Sequence, residues 1–190
     1  MAHLDHINPT VPDMIVKGDS FAGAEFSSDA KYRYRLWRIF DPLMITMARQ
    51  FAAFVMLNPS TADEAKLDPT LRRCEAFAKT WGYGGFMVAN VFALRSTDPS
   101  GLLVPTIDPC GRDNHLAIRR VANDCEIVVC GWGAFDGLWS VPKFGGARDV
   151  ALAAIRSAGR VPHQLGLTKD RHPRHPLYLR ADLRAEAMET

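Results

Sequence analysis

Three polar side chains stand where an apolar strand or a turn would not by itself demand them. Asn58 opens Asn58-Pro59-Ser60-Thr61, which ends the apolar run "QFAAFVMLN" and leads into Asp63, Glu64 and Asp68. Asn and Pro are good turn residues and Ser and Thr cap backbone groups, so the tetrapeptide reads either as a strand-ending turn or as a ligand loop. Asn90 interrupts "FMVANVFAL". A buried amide must find hydrogen-bond partners or cost ~1–3 kcal/mol, so Asn90 either ties neighbouring loops together or reads a ligand's amide edge. His175 lies in "TKDRHPRHPLYLR" with Lys169, Arg171, His172, Arg174 and Arg180 beside Tyr178. That stretch is either a solvated basic loop or a surface suited to phosphate contact and base stacking.

Other residues widen the choice of chemistry. Arg95 follows the second apolar run and could hold a phosphate or carboxylate by a bidentate fork, or pair with Asp98 or Asp113 as scaffold. Gly131-Trp132-Gly133 lets the backbone come close to a phosphate or to a neighbouring loop. It is not G-x-G-x-x-G, so the dinucleotide fingerprint fails. Asp63, Glu64 and Asp68 could serve as divalent-metal ligands or as acid/base groups. No Ser/His/Asp order, P-loop or H-E-x-x-H motif occurs.

The elements that must position these groups follow from periodicity. "KYRYRLWRIF" alternates, with Tyr32, Tyr34 and Leu36 on one face of a strand and Arg33 and Arg35 on the other. "QFAAFVMLN" and "FMVANVFAL" have the near-continuous apolar character of strands covered on both sides. Asp68-Pro69 is a helix start, with Asp68 as N-cap. Leu71, Cys74, Phe77, Ala78 and Trp81 then follow at helical spacing, and Gly82 suits the stop. A second helix is expected around Asp113 to Val121, a third strand in "EIVVCGWG", a helix in "GGARDVALAAIRSAG" with Val150, Ala151, Ala154, Ile155 and Ala158 facing the core, and a fourth strand in "HQLGL". Strands alternating with helices imply right-handed crossovers. The expected fold is therefore α/β: a three-layer α/β/α domain over residues 21–190 with a central, mostly parallel four-stranded sheet plus an antiparallel edge strand at Tyr32 to Phe40. Residues 1–20, with no sustained periodicity, are expected as a flexible arm. In such a sheet, ligands bind outside the carboxyl ends of the strands. Asn58, Asn90 to Arg95, Gly131 and the His175 loop all lie there.

Composition narrows the function class only mildly. A chain of 190 residues is long enough to bury a core without staples. A net charge of +2 permits a polyanionic partner without demanding one. The four cysteines, Cys74, Cys110, Cys125 and Cys130, form no C-x-x-C pair, so free thiols in a reducing compartment are expected, and neither a structural metal nor a cofactor. No run of about eighteen apolar residues and no signal-like N-terminus occurs, so the expected location is cytoplasmic, with no membrane partner.

Two resemblances go further. "MLNPSTAD", "DPTLRRC", "WGYGG", "NVFALRSTDP", "GWG" and "HPLY" together resemble an uncharacterised bacterial and phage family known only as a domain of unknown function. The order of motifs also resembles the uracil-DNA glycosylase superfamily, with Asn58-Pro59, Asn90 and His175-Pro176 as counterparts of its first-strand, second-strand and late-loop motifs. That likeness implies a glycosylase-like fold and a nucleobase, nucleotide or DNA partner. Asn58 would orient a water toward the anomeric carbon, Asn90 would read the base, and His175 would stabilise charge on the departing base, with Asp63 a nearby carboxylate. Pro59, Ser60, Thr61, Asn90, Arg95, Gly131, Trp132, Lys169, Arg171 and Tyr178 make up the expected binding surface. The alternatives are a module that binds nucleotides or nucleic acid without turnover, and a hydrolase or transferase acting on a small phosphorylated metabolite.

Overall fold

The computed structural model describes residues 14–43, 50–61, 68–135 and 137–189. Among these residues eight strands form one mixed sheet: β1 (Met14–Gly18), β2 (Ala22–Ser27), β3 (Arg33–Ile39), β4 (Phe51–Met56), β5 (Gly85–Asn90), β6 (Ile127–Cys130), β7 (Pro162–Gln164) and β8 (Glu186–Ala187). Their spatial order is β1-β2-β3-β5-β4-β6-β7-β8. The neighbours β5, β4, β6 and β7 run parallel. An antiparallel meander, β1-β2-β3, joins β5 on one side, and β8 adds antiparallel to β7 on the other.

Among the described residues three α-helices complete the α/β architecture: α1 (Pro69–Thr80), α2 (Asn114–Asp124) and α3 (Ala147–Ser157). The alternation of β4 explains where they sit. Ala52, Phe54 and Met56 cluster with Leu71, Cys74, Phe77 and Ala78 of α1. Ala53 and Val55, pointing the other way, cluster with Ile118, Val121 and Ala122 of α2 and Ala151, Ala154 and Ile155 of α3. Each large side chain buried in this way contributes about 1.5–3 kcal/mol, so a strand covered on both faces holds both helix layers in place. The start of α1 is as its sequence suggests: Asp68 Oδ1 accepts from Leu71 N at 2.8 Å, and Pro69 occupies the first turn.

The outer strands depart from expectation. The strand at Tyr32 to Phe40 is not an edge; β3 lies between β2 and β5. Its arginines are buried on both faces, Arg33 and Arg35 on one at 5% and 2% exposed and Arg38 on the other at 8%. Alternation shows that a strand has two kinds of face, not that the polar one meets water. Here Glu25 of β2 and Asp124 of α2 close over Arg35, at 2.7 and 3.7 Å. Of the arm expected over residues 1–20, residues 1–13 lie outside the described residues and Met14–Gly18 pair with β2 as β1. Val150, expected on the core face of α3, is exposed. Cys74, Cys125 and Cys130 are buried free thiols and Cys110 is a half-buried one. Among the described residues no helix is long and apolar enough to cross a membrane.

Candidate functional site

The carboxyl ends of β4, β5 and β6 lie side by side because parallel pairing sets Met56 beside Asn90 and Val55 beside Cys130. The ladder continues beyond the strands. Val91 N donates to Met56 O at 2.8 Å, Phe92 N to Leu57 O at 2.9 Å, and Gly131 N to Val55 O at 2.8 Å. Asn58, Asn90 and Trp132 are thereby brought to one place, where a cavity of about 180 Å³ opens. Arg33, Ser60, Asp68, Thr70 and His175 share its wall, with Met56, Leu57, Leu71 and Pro99 as the apolar part.

The polar groups on this wall have defined states. Asn58 Nδ2 donates to Ser96 O at 2.8 Å and to Pro59 O at 3.2 Å. Two carbonyl acceptors fix which end of the amide is nitrogen, so Oδ1 is the end left to accept a hydrogen bond. Asn90 is 2% exposed, and its Oδ1 is buried with no hydrogen-bond partner. The amide that ties a neighbouring element, the start of α2, to the end of β5 is a different one. Asn114 Nδ2 donates to Asn90 O at 2.9 Å and to Val91 O at 3.1 Å. Trp132, 4% exposed, likewise has a buried indole N–H without a partner. Each such group costs free energy that a ligand could recover.

His175 caps the short turn Pro176–Tyr178, its Nδ1 accepting from Leu177 N at 3.3 Å. An accepting Nδ1 carries no proton, so the neutral ring holds its proton on Nε2. Burial lowers the pKa of His175, with the Asp68 charge acting weakly the other way. His172 is lowered as well, by burial and then by Arg148. Folded protein therefore binds fewer protons at these rings than unfolded chain does below the ordinary value of 6.5. Stability then rises with pH between the lowered folded-state values and 6.5 and is lost as pH falls through that window. Thermal melts at about pH 7.5 and pH 5.5 should show the lower melting temperature in acid, and replacing both histidines by Gln should shrink that difference; an unchanged difference would assign it to other groups.

Asp68 is the described carboxylate on the cavity wall, and both its oxygens are engaged. One caps α1, and Oδ2 accepts from Ser60 Oγ at 3.2 Å. Asp63 and Glu64 lie outside the described residues. Among the described residues no cluster of three His, Cys, Asp or Glu could hold a metal ion.

Other residues expected at the site act elsewhere. Arg95 does not line the cavity: it donates to Ala30 O at 3.1 Å and Thr61 O at 3.2 Å and stacks on Phe26. Its guanidinium joins the β2–β3 turn to the Asn58 loop. Thr61 is exposed and hydrogen-bonds Thr97. Buried Pro59 offers its carbonyl to Ser96 N at 2.9 Å. Lys169, Arg171 and Tyr178 are exposed and do not line the cavity. Arg171 stands 3.8 Å from Glu189, a surface ion pair.

Gly131 serves a neighbouring loop. A Cβ there would meet Pro176 Cδ at 2.9 Å, and Gly133, at φ 72°, donates its N–H to Pro173 O at 2.8 Å. The two glycines thus seat the segment that carries His175. Gly131→Ala should cost roughly 1–3 kcal/mol by forcing that segment away, read as a lower urea midpoint at unchanged slope. A midpoint within error of wild type would show that the segment yields freely.

Two cavity-related residues, Arg33 and Asn114, carry no signal in the sequence. Arg33 is one of two arginines alternating along a strand, and Asn114 lies at the start of a helix. Each acquires its role from a strand distant along the chain, so no local pattern could mark it.

No curated protein and no solved structure matches the chain. The family model described as "Protein of unknown function (DUF1643)" matches residues 33–177, from the cavity arginine of β3 to the residue whose N–H meets His175, and the chain belongs to that family.

Proposed function

We propose that the protein recognises a nucleobase in nucleic acid and hydrolyses its N-glycosidic bond, on a three-layer scaffold of the uracil-DNA glycosylase kind. The observation that carries this reading is the convergence of Asn58, Asn90 and His175 on one cavity at the carboxyl ends of parallel strands. Its size suits a single ring with exocyclic groups, since a cavity of roughly 150 Å³ admits benzene. Asn90 and Trp132 line the cavity with their unpartnered Oδ1 and indole N–H buried behind its surface, so a small shift of the wall would bring an acceptor and a donor to the edge of such a ring. Asn58, held by two carbonyls, presents Oδ1 to a water; it orients the nucleophile and does not deprotonate it. His175, neutral with its proton on Nε2, donates to the base as negative charge develops there. Exposed Lys169, Arg171 and Tyr178 would meet the phosphates and flanking bases outside the cavity.

One observation favours a second reading. With both oxygens of Asp68 engaged, the described cavity wall has no idle carboxylate for general-base work, which suits a module that binds a base without turnover. Oligonucleotides bearing uracil, hypoxanthine, mismatched or hypermodified bases, followed by alkaline cleavage, separate the two. Strand breaks with wild type and not with Asn58→Ala support hydrolysis, and binding without breaks supports the second reading. Absence of both binding and breaks would reject the nucleobase as ligand.

A further inference from the structure

His175 reaches the cavity on a segment held from below by a stack that takes no part in lining it. Arg148, in the first turn of α3, donates from Nη1 to His172 Nδ1 at 2.9 Å. Its guanidinium lies 4.8 Å from the centre of the Trp139 ring, and Trp139 lies 5.9 Å from the His172 ring. Trp139 is itself fixed, stacked on Phe92 and donating to Gly133 O at 3.4 Å. The backbone of His172 is closed into a turn by Thr168, through Thr168 N to His172 O at 2.8 Å and His172 N to Thr168 Oγ1 at 3.1 Å. The next residues dock in order: Pro173 O on Gly133 N, Arg174 N on Gly166 O at 2.9 Å, and Pro176 against Gly131. His175 stands between the last two anchors.

We infer that Arg148 is a positioning residue for His175, acting through the Nδ1 atom of His172, and that protonation of His172 releases the anchor. A guanidinium only donates and keeps its proton, so the bond exists only while His172 Nδ1 is bare. A proton on that nitrogen replaces an acceptor by a donor and sets two cations in contact. The charged groups facing His172 are Arg148 from α3 and Asp170 from its own loop, with Lys169 and Arg171 close in sequence; Trp139 contributes no titrating group. Burial first and Arg148 second favour the neutral ring, and Asp170 opposes them more weakly. The inference rests on the reading of His175 as a functional group, but its test does not use activity.

The experiment is NMR of the ring nitrogens and carbon-bound ring protons of His172 and His175 in the full chain from about pH 8 to pH 4.5, a range that brackets ordinary histidine titration. In wild type, His172 should be the Nε2–H tautomer, titrate below the ordinary histidine range, and impose its midpoint as a second transition on the His175 signals. In Arg148→Ala, the His172 midpoint should move up toward the ordinary range, with burial still holding it below, and the His175 signals should shift at neutral pH. His172→Gln keeps an acceptor for Arg148 and removes the titration. It should keep the wild-type His175 signals of neutral pH and abolish the second transition, which a merely structural role would not do. His175 signals indifferent to Arg148→Ala, or an unshifted His172 midpoint in that variant, would overturn the inference. Should Arg148→Ala fail to fold, the wild-type and His172→Gln titrations decide alone, and persistence of the second transition in His172→Gln is the overturning result. A positive result with no strand cleavage would retain the positioning role and reject only the hydrolytic reading.

Discussion

On the proposed glycosylase reading, His175→Asn should lower the single-turnover rate of base excision about 10²–10³-fold, the usual cost of removing one donor aimed at developing negative charge. The choice of asparagine matters. His175 also caps the Pro176–Tyr178 turn by accepting from Leu177 N. Asparagine is a good N-cap, so the turn is kept while the imidazole Nε2–H is lost. The rate should fall with little change in affinity for the same oligonucleotide, since the lost interaction is strongest in the transition state. A variant as fast as wild type would remove His175 from the chemistry, and one that merely bound more weakly would make it a recognition group.

Glu25→Ala should destabilise the fold more than Gly131→Ala does, by about 3–5 kcal/mol, because it breaks a buried ion pair from one side. Glu25 is 0% exposed and Arg35 2%, and their charged ends meet at 2.7 Å. Once Glu25 is gone, Arg35 cannot shed its proton. Asp124, a second acidic partner, is 3.7 Å away, and the Trp37 face 5.2 Å away offers far less than a carboxylate. Replacing both charges together, as Glu25→Leu with Arg35→Met, should cost less than Glu25→Ala alone, since the burial cost of that pair disappears with it, while Asp124 loses its 3.7 Å partner and keeps the double variant short of neutrality. Urea melts of the single and double variants check this. A loss below about 1 kcal/mol for Glu25→Ala would mean that water reaches the Arg35 guanidinium when its partner leaves.

His175 and Glu25 are opposite kinds of residue. His175 stands out in the sequence because its loop is rich in unusual groups, whereas nothing in the sequence around Glu25 or Arg35 marks them as a buried pair. Burial gives them their weight, and burial of β3 comes from β2, β5 and α2. Arg95 shows the reverse case. By type and position it suits a phosphate, yet its guanidinium bonds the carbonyls of Ala30 and Thr61 and so fixes the loop that starts at Asn58.

Local features were legible in the chain of residues alone. The double-sided burial of β4 and β5, the Asp68 cap of α1, and the anomaly of amides at Asn58 and Asn90 all follow from periods of a few residues and from turn chemistry, which need no knowledge of neighbours. Non-local features came from packing. It placed β3 inside the sheet, made Asn114 the amide that ties Asn90's strand end, and used Gly131 and Gly133 to seat the His175 segment. It also left the Asn90 oxygen and the Trp132 N–H without partners beside a cavity. The physical reason is that an interior strand, a close approach or an unpaired atom is a relation between segments far apart in the chain. Residue type can supply the donor, the acceptor or the missing Cβ, but only packing decides what stands opposite it.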